Sequence, residues 1–128
     1  MNPAVAEWVS KAEGDYLTAG RELRARKSPN YDAVCFHAQQ CAEKYLKSRL
    51  VEAGTPFPKT HDLQLLLAMI VEIEPDWEDL QLELDLLNRY AIAYRYPGKS
   101  ATKADAKEAV TGCRLVRRVI RLAFNLPA

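Results

Sequence analysis

The sequence predicts an all-α protein, an up-and-down antiparallel bundle of about five helices that occupies a single domain, residues 1–128. Three observations predict this fold. Apolar residues recur every three or four positions along the chain, no stretch alternates with the period of strands, and proline or glycine separates the helical segments. With 48% apolar and 27% charged residues, the chain has enough hydrophobic surface for one core.

The first two predicted helices each follow a capping residue and a proline. Helix one runs from about Pro3 to Arg26, with Asn2 as its predicted cap. Helix two starts after Ser28-Pro29, again a cap and a proline, and runs to about Ala53. Gly54 predicts the end of helix two, because glycine readily adopts the left-handed conformation that terminates helices. Both helices have one apolar stripe, which predicts one buried face for each.

Two further helices are predicted around a proline break. Thr60 is expected to cap helix three, which runs from Leu63 to about Ile73 and is broken by Pro75. Helix four runs from about Asp76 to Tyr94 and ends ahead of Pro97, because a residue before proline avoids the helical region. The short connections predict antiparallel neighbours.

Helix four has two apolar stripes, which predicts contact with helices on both sides or a dimer face. The second stripe consists of Leu82, Leu86, Tyr90 and Ala93. Helix five opens at Thr102, and Asp105 stands three residues later, at the spacing of a capping box.

Several classes of protein are excluded by what the sequence lacks. No apolar run approaches the roughly 18–20 residues of a membrane span, and residues 1–11 lack the apolar segment of a secretion signal, so we expect a cytoplasmic protein. The odd, sparse set of cysteines predicts buried free thiols rather than disulfides. These are Cys35, Cys41 and Cys113.

No metal or cofactor is expected. Neither histidine has a glutamate three residues before it, and Cys35, His37 and Cys41 lack the spacing of zinc ligands. A phosphate-binding glycine loop, a serine elbow and the paired aspartates of nucleotidyltransferases are also absent.

The net charge of +1 predicts no partner, but the charges are unevenly distributed. Seven acids and no bases lie between Glu72 and Asp85, whereas bases gather at residues 21–27 and 114–121. Such separation orients a protein toward a partner or a phosphate, although charged faces are often simply solvated. For Arg114, Arg117, Arg118 and Arg121 we favour solubility and relief of the helix dipole over RNA contact.

A polar stripe on helix two is the first candidate site. His37, Gln40, Lys44 and Lys47 step by three, four and three, so they share one helix face. Two cations beside two neutral hydrogen-bonding groups suit a phosphate or a nucleobase edge. The alternative is that this face is only the solvated side of the helix.

The second candidate site is the aromatic segment at the end of helix four. Arg95 lies between Tyr94 and Tyr96, with Tyr90 one turn earlier. An arginine flanked by tyrosines can pair with a phosphate while the rings stack on a base. The alternative is that the tyrosines cover the core and Arg95 binds the last carbonyls of the helix.

His61 opens helix three and is a further candidate, because histidine changes charge near neutral pH. A histidine at this position more often packs or caps the first turn. Its role is left open by the sequence.

Three stretches together resemble the HEPN family. They are the run Ala38-Gln39-Gln40-Cys41-Ala42-Glu43-Lys44-Tyr45-Leu46-Lys47, the run Thr60-His61-Asp62-Leu63, and the aromatic run ending Arg95-Tyr96-Pro97. Their order and spacing are those of short, stand-alone members, and the resemblance covers most of the chain. It implies a bundle of about five helices, usually a homodimer. It also implies a partner, a minimal nucleotidyltransferase, in a toxin–antitoxin-like two-component system.

Many HEPN proteins are metal-independent endoribonucleases whose motif places a histidine a few residues after an arginine. Here no histidine follows Arg95 or Arg89, so the family's acid–base group is missing from its place. His37 or His61 replaces it only where the fold brings one of them near Arg95. Enzymatic activity is therefore left open.

The leading hypothesis is a HEPN-like protein that binds a nucleotide or RNA and partners a nucleotidyltransferase. In it, Arg95, Lys44 and Lys47 hold phosphate, Tyr94 and Tyr96 stack, and Gln40 and His37 add hydrogen bonds. This requires the helix-two cations and Arg95 to open into one pocket. The alternatives are an endoribonuclease toxin with a non-standard site and a non-catalytic dimeric interaction module.

Overall fold

The computed structural model describes residues 1–128 and contains five α-helices, one short 3₁₀ helix and no strand, so the all-α prediction is confirmed. The helices are α1 (Pro3–Leu23), α2 (Tyr31–Glu52), α3 (Leu63–Ile70), α4 (Gln81–Ala93) and α5 (Lys103–Ala123), with the 3₁₀ helix at Pro75–Leu80. No helix combines the length and the hydropathy that crossing a bilayer requires.

The central element is α2, which packs against α1, α3, α4 and α5. More than half of its residues are buried, including Tyr45, Leu46 and Leu50. Because α2 is surrounded, it has no continuous solvated face, and its polar side chains must find partners inside the protein. The three cysteines are buried and free, as predicted, and burial raises the pKa of Cys35 to about 12.

The boundary between the first two helices differs from the prediction. The cap of α2 is Asn30, whose Oδ1 accepts a hydrogen bond from the Ala33 N–H at 3.0 Å, and the predicted cap Ser28 is wrong. Ser28 has a φ of 46° and lies in the connecting turn, and α1 ends at Leu23 rather than Arg26. Asn30 caps the helix in place of Ser28 because its side-chain oxygen accepts a hydrogen bond from a backbone N–H of the first turn of α2.

The segment around α3 was also predicted too long. Asp62 caps α3 by accepting from the Gln64 N–H at 3.0 Å, while the Thr60 hydroxyl accepts from the Asp62 N–H. Helix α4 begins at Gln81, not Asp76, because the segment from Pro75 forms the 3₁₀ helix instead. Its two buried residues, Trp77 and Leu80, are three apart, so the three-residue turn of a 3₁₀ helix points both inward.

Helix α5 starts with the predicted capping box between Thr102 and Asp105, in which each side chain accepts from the other residue's backbone N–H. The second stripe of α4 behaves differently from its core stripe. Leu82 is 80% exposed, and with Leu86 and Leu115 it lines an open groove between α4 and α5. Further along the same stripe, the Tyr90 hydroxyl donates to Glu108 of α5 at 2.7 Å, so one end of the stripe contacts α5 while Leu82 stays exposed. The dimer-face alternative stays a prediction.

An ion-pair network joins α1, α2 and α5. The Arg117 guanidinium donates two hydrogen bonds to the Glu13 carboxylate, at 2.7 and 2.8 Å, and the Tyr45 hydroxyl also donates to Glu13. Arg121 approaches the same groups, with Nη1 3.2 Å from the Tyr45 hydroxyl. Three arginines of the predicted solvated cluster thus bind α1, because Arg114 Nε also donates to the Tyr16 hydroxyl at 3.1 Å. The solubility interpretation is therefore wrong for Arg117, whereas Arg121 lies in the last turn of α5, where a cation relieves the helix dipole.

Glu13 is the acid on which this network depends. Burial acts to raise the pKa of Glu13, but the hydrogen bonds from Arg117 and Tyr45 outweigh it, and the pKa is lowered from 4.5. A carboxyl with a lowered pKa stabilises the fold fully above its unfolded-state pKa and loses that contribution as the pH falls through the folded-state value.

Replacement Glu13→Gln should lower the free energy of unfolding by about 1–3 kcal/mol at pH 7, because Arg117 and Tyr45 lose their charged acceptor. The deficit relative to the native protein should shrink as the pH falls below about 4.5, measured by urea unfolding at several pH values. The control Asp85→Asn removes the exposed Asp85–Arg89 pair and should cost less than about 0.5 kcal/mol. Equal losses in both variants would contradict a special role for Glu13.

Candidate functional site

Arg95 is exposed just beyond the C-terminus of α4, and its guanidinium forms no hydrogen bond or ion pair within the chain. The alternative that it binds the last carbonyls of α4 is therefore wrong. The nearby Arg89 differs, because its Nε lies 3.2 Å from Asp85 Oδ2. Arg95 separates two clefts and lines both of them, so its donors are available to a ligand in either.

The first cleft, which we call the tyrosine cleft, has a volume of about 350 Å³ and lies between the start of α2 and the end of α4. Its lining consists of Asn30, Asp32, Ala33, Phe36, Tyr90, Ala91, Tyr94 and Arg95. Phe36 is 43% exposed, which leaves an aromatic surface open to a planar ligand. The cleft therefore joins a free cation to aromatic rings.

The two tyrosines of this cleft are fixed by their hydroxyls. Tyr90 donates to Glu108 at 2.7 Å and Tyr94 donates to Asp105 at 2.8 Å, and the two rings lie 5.6 Å apart. The hydrogen bond to Asp105 raises the pKa of Tyr94 to about 12, so its hydroxyl stays a neutral donor. Hydrogen bonds to α5 thus hold both tyrosine rings in place, and both residues line the tyrosine cleft.

The second cleft, the histidine cleft, has a volume of about 380 Å³ and lies between α2, the segment before α3, and α4. Its lining consists of Gln39, Thr60, His61, Asp62, Asn88, Ala91, Ile92 and Arg95. The fold thus brings His61 to the cleft of Arg95, although 34 positions separate them in the sequence.

Asn88 fixes the wall of the histidine cleft. Its Oδ1 accepts from the Leu63 N–H at 3.1 Å, and its Nδ2 donates to Asp62 Oδ1 at 3.0 Å. These two bonds attach α4 to the start of α3. Arg95 follows two residues after the end of α4, so this attachment also sets its position relative to His61.

His61 is held by a buried carboxylate. Glu43 on α2 is only 2% exposed, and its carboxylate lies 2.9 Å from His61 Nδ1 and 3.0 Å from Lys47 Nζ. The amide Nε2 of Gln39 donates to the His61 carbonyl at 2.8 Å. The His61 side chain is otherwise 70% exposed, which leaves its second ring nitrogen, Nε2, for a ligand.

The predicted helix-two stripe lies elsewhere. His37 Nδ1 and Lys44 Nζ both contact the Asp15 carboxylate on α1, at 2.8 and 2.5 Å. Lys44 lines a separate cleft with Trp8, not a cleft of Arg95. The expected common pocket of Lys44 and Arg95 is therefore not formed, because this face of α2 turns toward α1.

The other two members of the stripe belong to the Glu43 network. Gln40 Nε2 donates to Gln39 Oε1 at 2.8 Å, and Lys47 Nζ donates to the Thr60 carbonyl at 2.9 Å. Lys47 is buried and its Nζ lies 5.7 Å from the centroid of the Trp8 ring. Lys47 thus holds the loop before α3 through the Thr60 carbonyl, and its charge is paired with Glu43 and is not free to bind a phosphate.

Of the predicted site residues, Arg95 and Tyr94 line a cleft together, and Tyr96 is 66% exposed beside them. The sequence interpretation assigned no role to Asn88, Phe36 or Gln39. The signal for Asn88 was weak: it is an uncharged polar residue of predicted helix four, seven positions before Arg95.

No group of three or more His, Cys, Asp or Glu side chains in the structure is placed to hold a metal ion. The side chains at the site supply a guanidinium for phosphate, rings for a base, and an imidazole held by a carboxylate.

Comparisons with known proteins agree on the fold. The model of a family described as the HEPN domain matches residues 5–123. The structure resembles the crystal structure of TT1696 from Thermus thermophilus, with a TM-score of 0.76, 24% identity, and coverage of 92% of this chain and 96% of that one. It also resembles ST0689, described as an archaeal HEPN homologue, with a TM-score of 0.72, 24% identity, and coverage of 93% and 96%. No curated protein gives a significant match.

The buried pair of Glu43 and Lys47 should be worth more to the fold than the neighbouring pair of Asp15 and Lys44. Replacement Lys47→Met should lower the free energy of unfolding by about 2–4 kcal/mol, because it leaves Glu43 buried with less compensation. Lys44→Met should cost about 1 kcal/mol or less, since Asp15 keeps His37 and Lys44 is partly solvated. Urea unfolding of both variants measures the difference, and equal costs would contradict this account of Lys47.

Proposed function

We propose that this chain, which belongs to the HEPN family, binds a nucleotide or RNA at the two clefts beside Arg95. Arg95 contacts the phosphate, since a guanidinium can give a phosphate two parallel hydrogen bonds. The rings at the tyrosine cleft stack on a base, and Tyr96 adds an exposed ring next to the cation.

The observation that carries this proposal is the free guanidinium of Arg95. The arginines at 49, 89, 117 and 121 are paired with acids of the chain, and among the unpaired arginines it is Arg95 that lines both the tyrosine cleft and the histidine cleft. A cation without an internal partner, bordered by aromatic and amide groups, is what an anionic aromatic ligand requires.

Of the site residues predicted from the sequence, the proposal keeps Arg95, Tyr94 and Tyr96 as contacts. It moves Lys47 and Gln40 to a supporting role, because both bind the Glu43 network behind the histidine cleft. Lys44 and His37 are tied to Asp15 and are left out of direct contact.

The wider setting follows from family membership rather than from this site. We propose a homodimer with a nucleotidyltransferase partner in a toxin–antitoxin-like system, located in the cytoplasm. The open groove of Leu82, Leu86 and Leu115 is consistent with a dimer face, since exposed apolar patches mark protein contacts.

A second candidate function is metal-independent RNA cleavage, and the position of His61 favours it. The Glu43 carboxylate at Nδ1 would hold a proton on that nitrogen, which leaves Nε2 free to take the proton of a ribose 2′-hydroxyl. The resulting 2′-oxygen attacks the adjacent phosphorus, the bond to the 5′-oxygen breaks, and a protonated donor or water supplies the proton of the leaving group. Arg95 would bind the charge that develops on the phosphate oxygens.

Replacement Arg95→Ala should weaken binding of a short single-stranded RNA about 10- to 100-fold, because it removes a charged hydrogen-bonding partner of the phosphate. Fluorescence anisotropy of a labelled RNA measures this, and a thermal melt checks that the fold is intact. The control Arg89→Ala removes an equal charge from α4, six residues earlier in the chain, and should change affinity by less than about threefold. Full binding by Arg95→Ala would remove Arg95 from the site.

Cleavage is tested with purified protein and RNA in the presence of EDTA. If the second candidate is right, the native protein cleaves RNA, and His61→Ala lowers the rate by about 100-fold or more while RNA binding is kept. Glu43→Gln should lower the rate less and alter its pH dependence, because Glu43 acts through His61. Binding without any cleavage would reject the enzyme and leave the binding function in place.

A further inference from the structure

The N-terminus of α2 meets three other helix ends at one end of the bundle. The N–H of Asn30 donates to Glu22 of α1 at 2.7 Å, and the N–H of Ala101, ahead of α5, donates to Asp32 at 2.6 Å. Tyr94, at the end of α4, reaches Asp105 of α5. The C-termini of α1 and α4 and the N-termini of α2 and α5 therefore lie together.

This end, which we call the basic end, carries seven exposed cations. They are Arg21, Arg24, Arg26, Lys27, Arg95, Lys99 and Lys103. None of them forms an ion pair, and every salt bridge of the protein lies elsewhere. Unpaired cations that share one surface raise the local potential, and this potential attracts polyanions.

The carboxylates at the basic end do not neutralise these cations directly. Glu22 and Asp32 accept backbone N–H groups, and Asp105 accepts the Thr102 N–H within the capping box. The hydrogen bond from the Thr102 backbone is the main cause that lowers the pKa of Asp105. Each of these acids is engaged in holding a chain segment in place.

The segment from Glu72 to Asp85, which contains seven acids and no bases, lies toward the other end of α2. Glu74 contacts Arg49 near the C-terminus of α2, and Glu83 packs against Gly112 at the middle of α5. Charge is thus separated along the central helix, positive at its N-terminus and negative toward its C-terminus. A polyanion is attracted to one end and repelled from the other.

From this arrangement we infer that the basic end binds the phosphate backbone of a single-stranded nucleic acid whose bases enter the clefts beside Arg95. The inference rests on the proposed function and deepens it, because it makes the ligand an extended strand rather than a mononucleotide. One guanidinium is enough for one phosphate, and the six further cations have no role with a mononucleotide. A single strand is favoured over a duplex because its unstacked bases can reach aromatic side chains.

An anionic membrane is the less favoured occupant of this end. The large exposed hydrophobic side chains near this end include Phe36, Ile92 and Tyr96, which lie beside Arg95, and none lies in residues 21–27 or 99–107. Membrane-surface segments interleave cations with apolar residues that enter the lipid, and the segments that carry the other six cations lack such residues.

The test compares two double variants in binding a labelled single-stranded RNA of about 12 nucleotides over a range of salt concentrations. Arg24→Ala/Lys27→Ala removes two unpaired cations of the basic end. The matched control Lys11→Ala/Arg118→Ala removes two exposed cations that lie outside it and have no ion pair. Both variants keep every salt bridge, and thermal melts confirm that they fold.

We expect Arg24→Ala/Lys27→Ala to weaken RNA binding about tenfold and to reduce the salt slope of log K by about 1 to 2, since each neutralised phosphate of a single strand contributes about 0.7. Its affinity for AMP should be unchanged. The control should match the native protein in all three measurements.

Unchanged RNA affinity and salt slope in Arg24→Ala/Lys27→Ala, with binding still lost in Arg95→Ala, would overturn this inference and leave the proposed function standing. The reverse pattern would overturn the Arg95 site, and with it the entry of bases into the clefts beside Arg95, and would leave phosphate binding only to the other six cations. Binding to phosphatidylserine vesicles, but not to RNA, by the native protein would assign the basic end to a membrane and overturn the inference.

Discussion

The requirement that every buried charge on α2 have a partner organises the functional half of this protein. Glu43 lies on a helix surrounded by four others, and an unpaired carboxylate there would cost several kcal/mol. Its partners, Lys47 and His61, come from α2 itself and from the loop before α3. Because Lys47 also donates to the Thr60 carbonyl, the pair of Glu43 and Lys47 holds this loop at Thr60 and His61.

The consequences of that fixed loop extend to Arg95. Asp62 caps α3 and also accepts from Asn88, so the loop that Glu43 holds is attached to α4. Helix α4 then carries Arg95 to the rim of the same cleft as His61. Structural polar contacts behind the cleft thus place the exposed groups in front of it, as supporting hydrogen bonds do around binding sites.

The fold was predictable from the sequence because helical periodicity and capping are local properties. The capping box of Thr102 and Asp105, for example, needs only residues three positions apart. The site was predictable only in part, since Arg95 and Tyr94 are neighbours in the chain, whereas His61 reaches them through contacts between distant segments. The stripe of His37 and Lys44 was correctly placed on one helix face, but periodicity does not reveal which neighbour that face meets. In the structure this face contacts Asp15 of α1. Asp15 lies 22 positions before His37 and 29 before Lys44, and nothing in the sequence indicated these pairs.

The pairing pattern also explains why the free charges are concentrated at one end. Along the middle of the bundle, Glu13 and Asp15 engage side chains of neighbouring helices, and Glu43 engages Lys47 of its own helix, so these charges are not available to a ligand. At the basic end the acids bind backbone N–H groups instead, and the cations around them remain exposed. A net charge of only +1 therefore conceals a polarised molecule. The fold pairs some charges and leaves others exposed, and the exposed ones determine where a polyanion binds. Only the structure distinguishes paired from unpaired charges.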